Sequence, residues 1–131
     1  MQGQKEKQMT KNFVEIVGFV GQDPKLSGNA GTSRVRLQVA TNERWKDSAG
    51  QKRERTEWHT IIFWDRLADA AASLVRKGSH ILVTGTLKSR QYESNGVTHT
   101  VWEIHARELL LLDPKASTAN EETPRPEPTQ S

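Results

Sequence analysis

The chain has no cysteine among its 131 residues. That removes disulfide scaffolds, thiol nucleophiles, Cys-ligated zinc and iron–sulfur clusters in one step. Long apolar runs are missing too. None exceeds four residues, as in the leucines from Leu109 to Leu112 between Glu108 and Asp113, far short of the roughly 20 residues a membrane helix needs. Residues 1–11 alternate in charge and have no apolar stretch, so they read as a loose leader rather than a secretory signal. Glu6 without any Arg argues against a transit peptide. Motifs of catalysis are lacking as well. His59, His80, His99 and His105 show no metal-ligand spacing, there is no G-x-S-x-G elbow, and Lys77-Gly78-Ser79 lacks the upstream glycines of a phosphate-binding loop. No enzyme, metal or cofactor is expected, and the chain reads as soluble and cytoplasmic.

What is present is a basic body. Residues 113–131 hold two cations (Lys115, Arg125) against four acids (Asp113, Glu121, Glu122, Glu127), a net of −2; since the whole chain is +3, the remainder carries +5. Such a body points to an anionic partner, nucleic acid first. Residues 113–131 also hold four of the five prolines and no Gly, aromatic, Leu, Ile, Val or Phe. They cannot bury enough apolar surface to offset ordering, so a disordered tail is expected there. The folded body is then residues 12–112.

Within that body the period is mostly two. Val14, Ile16 and Val20 alternate with Phe13, Val17 and Phe19 in a first strand apolar on both faces. Gly21-Gln22-Asp23-Pro24 ends it. Val35, Leu37 and Val39 alternate with Arg34, Arg36 and Gln38 in a second. A polar loop is expected from Thr41 to Arg55, then a third strand from Thr56 to Trp64. Leu67, Ala70, Ala71 and Leu74 fall on one helical face, with Arg76 and Lys77 in the last turn and Gly78 as the residue after the cap. Strands Ile81–Glu93 and Val97–Leu109 flank Asn95-Gly96, the strongest short hairpin signal. Five strands with one short helix before the last hairpin predict an all-β, five-stranded Greek-key barrel of the OB type, with a β-sandwich as the alternative.

Strand parity sorts the aromatics. Trp58, Thr60, Ile62 and Trp64 share one face; Glu57, His59, Ile61 and Phe63 share the other. Lys88, Arg90 and Tyr92 share a face, and Trp45 stands between Arg44 and Lys46. Taken singly, Trp58 or Trp64 could equally well be a core residue. Four rings beside cations favour the other use: cations for phosphates, flat faces for unstacked bases. A two-residue Asn95-Gly96 turn pairs Tyr92 with His99, Arg90 with Val101 and Lys88 with Glu103. It turns Trp102 to the opposite side, for packing or an interface.

These residues resemble a known family, the bacterial-type single-stranded DNA-binding proteins. The likeness rests on Val17-Gly18 before Gly21-Gln22-Asp23-Pro24, Val39-Ala40-Thr41-Asn42 leading to Trp45, and Thr56-Glu57-Trp58-His59. Leu67-Ala68-Asp69, and Arg76-Lys77-Gly78-Ser79 before Gly85-Thr86-Leu87, complete it. The resemblance implies an OB-fold homotetramer that binds single-stranded DNA without sequence preference in replication, recombination and repair. By position it makes Trp45, Trp58, Trp64 and Tyr92 stacking residues and Lys46, Arg66, Arg76, Lys77, Lys88 and Arg90 phosphate contacts. It places His59 at a subunit interface. The family's tail closes in several Asp residues and an Ile/Leu-Pro-Phe tip that docks on replication and repair enzymes. Glu127 to Ser131 departs from that pattern, with no aromatic anchor. The competing reading is an OB-fold primosome or plasmid-replication adaptor acting mainly through protein contacts; a third is an RNA-binding OB-fold.

Overall fold

The computed structural model describes residues 8–29 and 32–113. Most of the expected leader and all but the first residue of the expected tail lie outside the described residues. The elements are β1 (Val14–Val20), β2 (Leu26–Ser27), β3 (Arg34–Lys46), β4 (Lys52–Trp64), α1 (Asp65–Leu74), β5 (His80–Ser94) and β6 (Val97–Leu111). They form one sheet in the order β1-β5-β6-β4-β3-β2. Pairing of Phe19 with Ala40 and Val20 with Val39 joins β1 to β3 and closes five strands into a barrel. All pairings are antiparallel except β4 with β6. This is the expected barrel, not a sandwich. The two-residue β2 on the β3 edge has no sequence signal strong enough to find it.

Alternation fills the barrel. Val35, Leu37 and Val39 from β3, Ile61 and Phe63 from β4, Ile81 and Val83 from β5, and Ile104 from β6 form one buried cluster with Val20. On β1, Val14 and Ile16 pack against the cluster, whereas Val17, Phe19 and the preceding Phe13 are exposed on the outside. The apolar-on-both-faces reading of β1 thus resolves into one core face and one open face.

Three local expectations need correction. The polar loop from Thr41 to Arg55 is mostly strand: β3 and β4 stay paired without a break from Arg34↔Trp64 to Lys46↔Lys52, and the turn occupies only residues 47–51. Cross-strand polar pairs hold this ribbon where there is no core to bury. Thr56 donates to Asn42 at 2.7 Å, and Arg44 pairs with Glu54 at 3.5 Å. Second, the buried side of α1 is Ala68 and Ala71, with Leu67 and Ala72 packed beside them; Leu74 is exposed. The small alanines let α1 lie close to the strands, and Val75, extended at the C-cap and fully buried, enters the core in place of Leu74. Third, because α1 ends at Leu74, Arg76, Lys77 and Gly78 lie beyond its last turn. They form a separate turn in which Ser79 N–H donates to the Arg76 carbonyl and Gly78 N–H to the Val20 carbonyl.

The β5–β6 hairpin follows the predicted register: Tyr92 pairs with His99, Arg90 with Val101 and Lys88 with Glu103. Asn95 and Gly96 have φ of 54° and 77°, the positive pair a tight primed turn requires. The one irregularity, between Thr84 and Gly85, lies well below the tip and leaves that register intact.

Candidate nucleic-acid interface

The unbroken β3–β4 register builds the site. Opposite one another on the barrel's outer face stand Ala40 and Trp58, Gln38 and Thr60, Arg36 and Ile62, and Arg34 and Trp64. β6 continues that face, because its parallel pairing sets His105 beside Ile62. β5 extends it through Thr86 opposite His105, Lys88 opposite Glu103, Arg90 opposite Val101 and Tyr92 opposite His99. Trp58 and Trp64 of β4 and Lys88, Arg90 and Tyr92 of β5, with β6 between the two strands, therefore share one continuous surface.

The rings on it are open. Trp58 is 53% exposed, Trp64 43% and Tyr92 44%, so core packing is excluded for each. Trp58 and Trp64, six residues apart on one strand, lie about 20 Å apart and would hold different bases. Each ring is also braced. A Cβ on Gly21 would come within 2.6 Å of Trp58 Cζ3, so the indole lies against bare glycine backbone. The Arg34 guanidinium sits 5.8 Å from the centre of the Trp64 ring. Tyr92 stacks on His99 at 5.0 Å. Beneath the rings, Ile62 is 1% exposed yet does not belong to the interior cluster. It points outward between Arg36 and His105 and gives the face an apolar floor.

The other predicted residues fall elsewhere. Trp45 is 46% exposed, but alternation sets it opposite Arg53 on the reverse side of the β3–β4 ribbon from Trp58. His59 is on that reverse side too, its Nε2 2.9 Å from Thr41 Oγ1. Lys46 is on Trp58's side at the ribbon's end, directly opposite Lys52. Arg66 is exposed in the first turn of α1. Arg76 turns its guanidinium onto the carbonyls of Val75 and Ala72, at 2.7 and 3.3 Å, as a cap for the helix end. Lys77 donates its backbone N–H to Asp23 Oδ1 at 2.9 Å, tying its turn to the loop that carries Gly21. Trp102 pairs with Ser89 on the side away from Tyr92 and is 61% exposed, which rules out packing within the chain.

Sequence reasoning missed a set of cations. A groove beside Trp64 is lined by Gln22, Asp23, Lys25, Ser27, Arg34 and Arg36. Arg34 and Arg36 are visible in the sequence as the polar side of a strand; only the register shows that they flank the rings. Ion pairing then separates two populations. Arg44, Arg53, Arg55 and Arg90 pair with Glu54, Asp47, Glu57 and Glu103. Among the described residues, no carboxylate pairs with Lys25, Arg34, Arg36, Lys46, Lys52 or Lys88. Lys46 facing Lys52 is a like-charge pair that costs stability until an anion arrives. Asp47 shapes the turn beside it: its Oδ1 accepts from Ala49 and Gln51 N–H, and Oδ2 from Arg53 Nε, all at 2.9 Å. The Gln51 N–H and then the Arg53 guanidinium hold its carboxyl below the usual carboxylate range. Among the described residues no His, Asp and Glu cluster could hold a metal ion, and no helix is long and apolar enough to cross a membrane.

Residues 11–112 match the single-strand binding protein family. The chain is 36% identical over 106 residues to a single-stranded DNA-binding protein of Neisseria meningitidis serogroup A, covering 79% of this chain and 61% of that one. It is 37% identical over 107 residues to single-stranded DNA-binding protein 1 of Xylella fastidiosa, covering 79% of each. The chain thus spans about three-fifths of the length of the Neisseria relative. Among solved structures, it resembles a Plasmodium falciparum SSB in complex with ssDNA, with a TM-score of 0.75 and 27% identity over 82% of this chain and 99% of that one. It also resembles a deletion mutant of the single-stranded DNA binding protein from Thermus aquaticus, with a TM-score of 0.70 and 27% identity over 79% of this chain and 51% of that one.

Proposed function

The chain belongs to the single-strand binding protein family, and from that premise we propose that it binds single-stranded DNA without sequence preference, protecting it during replication, recombination and repair. It acts by binding rather than by catalysis, in the cytoplasm at the nucleoid. The observation that carries this reading is the outer face on which Trp58, Trp64 and Tyr92 stand open beside Arg34, Arg36 and Lys88, which no carboxylate pairs among the described residues. Bases that have lost their pairing partners stack on such rings at about 1–3 kcal/mol each, whatever their identity. Trp45 and Lys46, on the ribbon, and Arg66, Arg76 and Lys77, around α1, extend the contacts beyond that face. Because only the unpaired form is bound, melted strands are held open by mass action.

We further propose a homotetramer. Its support is a second exposed surface, apolar rather than cationic. Val17, Leu82 and Leu110 lie side by side across β1, β5 and β6, and Phe19 stacks on His80 at 4.6 Å in the next row. An exposed apolar strip of that kind marks a protein interface. His59, on the reverse of the stacking face, contributes to a contact between subunits. Four bodies of +5 each bring +20 to one assembly, enough to draw a long strand around it.

The test is a titration with poly-dT, following intrinsic fluorescence on protein of measured solution mass. Tryptophan quenching, steep salt dependence and a mass of four chains are expected. An absence of quenching together with salt-insensitive binding refutes the stacking mechanism, and a monomeric mass refutes the tetramer. Equal affinity for oligo-dT and oligo-U is not expected of a DNA-selective site, and a preference for oligo-U would move the assignment to RNA.

A further inference from the structure

Glu103 is out of place on a surface meant for a polyanion. It is 5% exposed, yet its strand position puts it on the outer face opposite Lys88. A buried carboxylate persists only where partners satisfy it. Here Oε2 accepts from Arg90 Nε at 3.1 Å and lies 3.0 Å from the second guanidinium nitrogen. Oε1 turns the other way, 3.7 Å from His105 Nε2. The far side of the same imidazole meets Trp64, whose indole Nε1–H donates to His105 Nδ1 at 3.4 Å, the ring centres being 6.2 Å apart. A nitrogen that accepts the indole proton carries none of its own, so the neutral ring keeps its proton on Nε2, toward Glu103.

We propose that His105 and Glu103 are positioning residues for the interface: His105 holds the Trp64 indole, and Glu103 holds the Arg90 guanidinium and by its charge favours the accepting tautomer of His105. One buried carboxylate thereby couples a stacking ring to a cation of the same face two strands away. This rests on the single-stranded DNA-binding reading above. A consequence is acid sensitivity of one ring. Protonation places a hydrogen on Nδ1, which then cannot accept, and Trp64 loses its anchor while the imidazolium pairs with Glu103. The charged groups around His105 on the elements packed against it are Arg34 and Arg36 of β3, Asp65 at the start of α1, Lys88 and Arg90 of β5, and Glu103 and Arg107 of β6; the outer side of β4 offers none from Trp58 to Trp64. Simple electrostatics predicts that a protonated His105 strengthens DNA binding. Positioning predicts a loosened Trp64.

The experiment uses the whole chain with His105→Leu, which removes the acceptor, and His105→Asn, whose Oδ1 stands in for Nδ1 but does not titrate. In free protein, the Trp64 indole N–H resonance is followed by NMR through an acid titration. It is expected to move in the wild type and to stay put in the Asn variant. Poly-dT binding at neutral pH should weaken about threefold to tenfold in the Leu variant, the net worth of one hydrogen bond, and stay near wild type in the Asn variant. A Trp64 resonance indifferent to pH in the wild type, or a Leu variant that binds as the wild type does, overturns the proposal. If no protein binds poly-dT, the binding reading fails; the indole titration, made without DNA, still decides whether His105 holds Trp64.

Discussion

Replacing Lys25, Arg34 and Arg36 together by Gln removes three positive charges from the groove beside Trp64 and keeps every ring, though Trp64 loses the Arg34 cation beside it. None of the three is engaged by a carboxylate among the described residues, so their loss leaves no buried charge behind. Each phosphate neutralised on a single strand adds about −0.7 to the slope of log K against log salt. Three lost contacts make the slope shallower by about 2. Taking molar salt as the point where the electrostatic contribution vanishes, that difference becomes about a hundredfold weaker binding at 0.1 M. Fluorescence titrations with poly-dT at four or more salt concentrations measure slope and affinity together. Trp58→Ala is the control: it should cost about 1–3 kcal/mol with its slope unchanged, because a ring releases no counterion. A triple variant whose slope matches the wild type would refute the groove as a phosphate track, even if its affinity had fallen.

Three further outcomes are expected. Gly21→Ala brings a methyl within 2.6 Å of Trp58 Cζ3 and must displace that ring; the free protein's fluorescence and the quenching by poly-dT should both change, and an unaltered spectrum refutes the contact. Leu37→Ala empties a fully buried position of the barrel, and should cost about 2–5 kcal/mol in denaturant unfolding; a loss well under 1 kcal/mol would mean the cluster is not the core. The Asp47 carboxyl is held below its ordinary value by the Gln51 N–H and Arg53, so its support of the 47–51 turn is complete above the unfolded value, about pH 4, and is lost as pH falls through the lower folded value. The amide resonances of Ala49 and Gln51 should hold steady from neutrality to about pH 4 and move below it; movement centred above that range contradicts the hydrogen-bond geometry.

The barrel was legible where burial alternates. Val35, Leu37 and Val39 face inward as a period of two requires, and Asn95-Gly96 sets the hairpin register that pairs Tyr92 with His99. Legibility ended where strands are held by something other than burial. From Thr41 to Arg55 both sides of the ribbon are exposed apart from a few half-buried positions, so hydropathy carries no period there, and the pairing rests on contacts such as Thr56 to Asn42 that link residues 14 apart in sequence. The helix itself was legible, but its buried face was not, for a related reason. Periodicity ranks residues by apolarity and so picks Leu74, but close packing rewards the smaller Ala68, and the chain leaves the helix in time to bury Val75 instead.

For the site, parity placed Trp58 and Trp64 on one side and His59 on the other, yet it could not place Trp45, because the side a residue takes in a presumed loop is undefined until the register is known. Charge was the weakest guide. A body of +5 measures neither how many cations can meet phosphates nor where they stand. Arg44, Arg53 and Arg55 are already occupied along the ribbon by Glu54, Asp47 and Glu57, and they add to the formal count without offering a contact. Lys25, Arg34, Arg36 and Lys88 stand among the rings without such partners among the described residues, and Lys46 opposes Lys52 at the ribbon's end. The same pairing logic explains Glu103: an acid that looks repulsive in sequence is buried against Arg90 and His105, and so orders the interface without presenting its charge to the strand.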